Sequence, residues 1–102
     1  MLASFAAVPM GLEGGVKHQV AEALAIVDAS GLAYKLGAMN TTIEGEPDEV
    51  MEVILRCHRR MLELAPRVLT SIAIDERKGV AGRIIGKVKD VEEVLGKKLE
   101  RG

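Results

Sequence analysis

Two consecutive strand-like segments lie between two stretches of helical periodicity, and that order leaves few folds open to so short a chain. Leu32 to Ala38 alternates Leu32, Tyr34, Leu36 and Ala38 against Ala33, Lys35 and Gly37, a period of two that marks a strand with one buried face. Met39 to Glu44 reads as a second strand, paired with the first after a tight turn. Before them, Val16, Val20, Ala23, Leu24 and Val27 recur at helical spacing, and Gly31 supplies a left-handed end. After them, Pro47 opens a long helix to about Leu64, with Asp48 and Glu49 near its positive end and Val50, Ile54, Cys57, Met61 and Leu64 along one stripe. Pro66 prevents its continuation.

The flanks complete the pattern. Leu2 to Val8 reads as a strand stopped by Pro9 and Gly11, and Val68 to Ile74 alternates as a strand that ends at Asp75. A last helix carries Ala81, Ile84, Val88, Val91 and Leu95, weakened by Gly82, Gly86 and Gly96. Strand, helix, strand, strand, helix, strand, helix is an α+β order: the ferredoxin-like βαββαβ sandwich on an antiparallel sheet, with an additional C-terminal helix. Two helices cover one sheet face. The other face is expected to carry Ala3, Phe5 and Ala7, then Ala33, Lys35 and Gly37, then Thr42 and Glu44, then Leu69, Ser71 and Ala73. A face so poor in charge is expected to pack on the same face of another chain, with small side chains leaving room for a flat heterocycle.

A length of 102 residues fits one domain spanning 1–102, and 48% hydrophobic with 28% charged residues is a globular balance. Only Phe5 and Tyr34 are aromatic, so the core is aliphatic. A net charge of -1 and a pI near 6.1 argue against nucleic acid, which calls for a basic stripe and stacking rings. No apolar run is long enough for a bilayer, Met1 to Val8 lacks the positive head of a signal peptide, and the single Cys57 fits a reducing compartment, so the expected location is the cytoplasm with no membrane partner.

The polar groups most able to read a ligand sit in Met39-Asn40-Thr41-Thr42-Ile43-Glu44-Gly45, where two hydroxyls and a carboxylate stand on a short strand leading into the Pro47 helix. Glu44 serves equally well as a solvated strand-end acid. Gly11-Leu12-Glu13-Gly14-Gly15 lacks the ending of a P-loop and reads as a flexible turn. Cys57 and His58 are helix neighbours about 100° apart and cannot clasp a metal together, while Cys57 falls in the apolar stripe as a buried thiol. Asp75, Glu76 and Arg77 form either a surface turn or, through Arg77 or Asp75, the lip of a pocket or an intersubunit contact. No nucleophile, base and acid set emerges, so neither an enzyme nor a cofactor is expected.

Four segments together carry a resemblance: Val8-Pro9-Met10-Gly11, Met39-x-Thr41-x-Ile43-Glu44-Gly45, Ile74-Asp75-Glu76-Arg77 and Lys87-Val88-x-x-Val91. In order and spacing, nearly from Leu2 to Val94, the chain resembles a family of small thiamine-binding proteins with a ferredoxin-like fold. The resemblance implies a dimer that doubles into a tetramer, with thiamine or its hydroxymethylpyrimidine half bound near subunit contacts and no catalysis. On that footing Glu44 accepts hydrogen bonds from the aminopyrimidine, Asn40, Thr41 and Thr42 set its orientation, Gly37 and Ala73 give the ring room, and Arg77 stands at the lip. Two departures bear on the ligand. Asn40 stands where the family commonly has glycine, and Gly14 to Gln19 lacks the hydroxyls of the family's first connector. The alternative is a structural or regulatory homo-oligomer whose sheet face serves assembly alone or takes a different small effector.

Overall fold

The computed structural model describes residues 1–79 and Ile84. Strand β1 (Leu2–Met10), helix α1 (Lys17–Ala29), strands β2 (Ala33–Leu36) and β3 (Thr41–Glu44), helix α2 (Pro47–Leu64) and strand β4 (Arg67–Asp75) follow in chain order. The expected last helix lies outside the described residues apart from Ile84. The sheet runs β2-β3-β1-β4 with every neighbouring pair antiparallel, which is the split arrangement expected of the βαββαβ order.

Helix α2 forms where its apolar stripe requires. Pro47 occupies the first turn, Asp48 and Glu49 sit at the positive end of the dipole, and Val50, Val53, Ile54, Cys57 and Met61 are buried. Burial of each large aliphatic side chain contributes roughly 1.5–3 kcal/mol. Helix α1 buries Ala23 and Val27, and the chain reverses at Gly31, whose φ of 76° suits a residue without Cβ. Arg60 of α2 reaches Glu22 of α1 at 2.8 Å and Glu63 of its own helix at 2.9 Å, exposed ion pairs that solvent screens and that add little to the packing of the helices.

The β2–β3 hairpin is shorter than the alternation predicts. Its last strand pair is Leu36 with Thr41, and residues 37–40 form the tip, where the Gly37 N–H donates to the Asn40 carbonyl at 2.8 Å. A Cβ on Gly37 would stand 2.9 Å from that same carbonyl oxygen, so the tip closes only around glycine. Strand β1 is longer than expected. It continues through Pro9, which pairs with Val68, to Met10 opposite Arg67. Pairing with β3 has already ended at Phe5, so Pro9 lies on a stretch with a single partner, where a residue without N–H is tolerated.

The register also corrects the assignment of faces. Ala3 and Phe5 lie opposite Ile43 and Thr41, and all four are buried beneath the helices with Val27, Val50 and Ile54. Ala7 shares that face, so the three β1 residues expected on the open face are on the helix side. The open face instead carries Leu2, Ser4, Ala6, Val8 and Met10 beside Thr42 and Glu44 of β3, Ala33 and Lys35 of β2, and Leu69, Ser71 and Ala73 of β4. The alternation of β1 could not decide this, because Leu2, Ala3, Phe5, Ala6, Ala7 and Val8 are apolar or small on both sides.

Candidate functional site

The hairpin tip, the overhanging part of β1 and helix α1 enclose a cavity of about 170 Å³. It exists because the hairpin turns away at Gly37 to Asn40 while β1 runs on to Met10 beside β4, leaving a notch that α1 roofs. Phe5, Val20, Leu24, Val27 and Leu36 make its apolar walls, and Asn40 and Thr41 bring an amide and a hydroxyl. Among the described residues no charged side chain lines it. Thr41 is 7% exposed. Among the described residues its hydroxyl makes no hydrogen bond, so a polar group stands against the cavity without a protein partner. Met39, 90% exposed, stands at the mouth.

A second depression, about 340 Å³, lies on the open sheet face among Leu2, Ser4, Thr42, Ala73, Asp75 and Ile84. Glu44 flanks it, directly opposite Leu2 in the ladder. A third, about 620 Å³, is a groove at the sheet end where Glu44 and Arg77 meet Glu46, Glu49, Glu76 and Lys78. There the Met1 ammonium donates to the Gly45 carbonyl at 2.9 Å.

The seven residues singled out from the sequence therefore divide. Gly37, Asn40 and Thr41 come together at the hairpin cavity. Thr42 and Ala73 share the open-face depression with Glu44 at its side, and Arg77 joins Glu44 only in the end groove. Thr41 and Thr42 project from opposite faces of one strand, so within one chain a single ring cannot rest on both. Sequence reasoning missed the walls of the hairpin cavity. Val20, on the apolar α1 stripe, is 38% exposed because the stripe is wider than the core it covers, a fact of packing that the stripe itself does not display.

The remaining titratable groups point to structure. Burial pushes the Cys57 thiol up to about 11, although Arg56 pulls the other way, and its Sγ lies 3.4 Å from the Ala23 carbonyl. A thiol so held is a poor nucleophile. A hydrogen bond to Asp28, 2.9 Å away, raises the pKa of Tyr34. His58 Nδ1 meets Thr70 Oγ1 at 2.6 Å, linking α2 to β4. Among the described residues no group of three or more His, Cys, Asp or Glu could hold a metal ion, and no helix is long and apolar enough to cross a membrane.

Comparison with known proteins agrees on one lineage. A family model described as thiamine-binding protein matches residues 3–92. A UPF0045 protein of Mycobacterium bovis is 40% identical over 96 residues, covering 93% of this chain and 94% of its own length. Among solved structures, a hypothetical protein from Methanocaldococcus jannaschii superposes with a TM-score of 0.83 at 30% identity, covering 90% of this chain and 95% of its own. A candidate thiamine biosynthesis or salvage protein from Thermotoga maritima gives a TM-score of 0.78 at 28% identity, covering 88% and 96%.

Proposed function

The chain belongs to the thiamine-binding protein family, and from that premise we propose that it binds thiamine by its hydroxymethylpyrimidine half in the hairpin cavity, without catalysis, as a cytoplasmic carrier or sensor. The observation that carries the reading is the cavity's size and chemistry. At about 170 Å³ it is close to an apolar cavity of ~150 Å³ that is known to hold benzene, so it admits one six-membered ring and not two. The thiazolium then stays outside, past Met39. That suits its charge, since among the described residues the lining offers no carboxylate to offset the cost of burying a cation. Asn40 and Thr41 set the ring's orientation, and Gly37 leaves room for it.

Thr42, Glu44, Ala73 and Arg77 serve the other side of the sheet. Val8, Met10 and Leu69 expose 44%, 37% and 53% of their surface on that face, and we propose that it packs on a second copy of the chain, as a homodimer or a tetramer. Glu44 then acts at the subunit contact. Calorimetric titration with thiamine, hydroxymethylpyrimidine and thiamine phosphates, run beside light scattering on the wild type and Glu44→Ala, tests both halves. Saturable binding with similar affinities for all forms supports the hairpin cavity, because only the shared ring is enclosed. Loss of binding in Glu44→Ala with the oligomer intact moves the ring to the open face. No saturable binding by the wild type leaves a structural or regulatory oligomer as the function.

A further inference from the structure

The hydrogen-bond alternation of β1 leaves one backbone edge facing the cavity. Met1 and Gly45 exchange both bonds, the Gly45 N–H donating to the Met1 carbonyl at 3.1 Å and the Met1 ammonium to the Gly45 carbonyl at 2.9 Å. In an antiparallel ladder such bonded pairs recur at every second residue. Continued along the register, the bonded pairs are Ala3 with Ile43 and Phe5 with Thr41. The next would set Ala7 against residue 39, but β3 begins only at Thr41. The N–H and C=O of Ala7 thus point toward the side β3 has left, and Ala7 lines the hairpin cavity. Pro9 supports this phase independently. It stands in register with Val68 although it has no N–H, as it can only where that position's donor is not used by β4.

Ala7 therefore presents one donor and one acceptor, side by side, to a cavity whose walls are otherwise nearly all apolar. Backbone donors and acceptors call for partners wherever water is scarce, and among the described residues none takes up this half-buried pair outside the ladder. We infer that the Ala7 backbone edge is the specificity determinant of the site, reading a planar heterocycle that carries an amino group beside a ring nitrogen. The Ala7 N–H donates to the ring nitrogen, and the amino group donates to the Ala7 carbonyl, so the ring takes the place of the missing β3 residue. The inference rests on the proposed occupancy of the hairpin cavity and names the atoms that select the ring.

The test titrates hydroxymethylpyrimidine, and the same molecule with hydrogen replacing its amino group, into the wild type and Ala7→Pro. Proline replaces a donor that the ladder does not use with a ring carbon, as Pro9 already does two residues on, so the deaminated compound, titrated into the same variant, separates loss of the donor from crowding by the ring. The wild type is expected to bind the amino compound about tenfold more tightly than its counterpart, and Ala7→Pro to weaken the amino compound about tenfold. Should the proline variant fail to fold, the amide resonance of Ala7 in the wild type decides, moving downfield at saturation. Equal affinity for the two compounds, with shifts at the Leu24 methyls and none at the Ala7 amide, overturns the inference and leaves the cavity as the binding site. Failure of both compounds to bind the wild type overturns the proposed function and this inference together.

Discussion

Replacing Thr41 by valine separates binding from folding, because the two are expected to move in different directions. Thr41 is 7% exposed, opposite Phe5 in a ladder pair that bonds through the backbone alone. Valine keeps the branched shape and the strand preference, so the ladder and the walls stay in place. Only the hydroxyl goes, and among the described residues it has no hydrogen bond to lose. Removing such a group from a nearly buried position leaves stability equal or slightly higher. The ligand loses one neutral hydrogen bond, about 0.5–1.5 kcal/mol, or roughly two- to twelvefold in affinity. Thermal unfolding of the apo protein and calorimetric titration of the same preparation give both quantities. A fall in melting temperature with loss of binding would make Thr41 a structural residue. Unchanged affinity with an unchanged melting temperature would refute the placement of the ring against its hydroxyl.

Gly37→Ala is expected to harm both properties, since its Cβ would stand 2.9 Å from the Asn40 carbonyl that the Gly37 N–H already holds at 2.8 Å. The tip must open by a few tenths of an ångström, at ~1–3 kcal/mol by analogy with overpacked sites, and paired unfolding and titration curves show whether the cavity wall moves with it. Cys57 gives a pH dependence of definite sign. Its folded pKa, about 11, lies above the ordinary 9.0, so between those values the native state holds a proton that the unfolded chain has released. Stability is fully present below pH 9 and is lost as pH rises toward 11, by at most ~3 kcal/mol. Urea unfolding of the wild type and Cys57→Ala across that range detects it as a slope that the variant lacks.

How much of this was legible in the sequence follows from how sharply each segment discriminates between its faces. Helix α2 was readable to its ends, because Pro47 and Pro66 fix its limits and its apolar stripe has polar residues on the other side. Strands β2, β3 and β4 were assigned to the correct faces, since Lys35, Thr42, Glu44 and Ser71 mark the side away from the helices. Strand β1 carries no charge from Leu2 to Met10, so its phase could be fixed only by its partners, and the register sets it one residue away from the expectation. The hairpin was overextended for a related reason. Ala38 continues the apolar alternation of Leu32, Tyr34 and Leu36 and Met39 reads as the start of the next strand, but the chain leaves the ladder at Gly37, where a close backbone contact has no room for a Cβ.

Those two errors concealed the hairpin cavity. With β1 one residue out of phase and β2 and β3 drawn to Ala38 and Met39, β1 has a partner along its length and no notch appears. In the observed register the sheet is short on one side, and the unpaired edge of β1 becomes the polar floor of an apolar pocket. The residue types that bring polar groups to the hairpin cavity were identifiable, because hydroxyls and an amide on a short apolar strand are conspicuous. Which of them face one another was not, because Thr41 and Thr42 differ by one position and therefore by a whole face. A backbone contact such as the one proposed for Ala7 has no side-chain signature at all. Its position follows from where neighbouring strands end, a relation between segments that no single segment encodes.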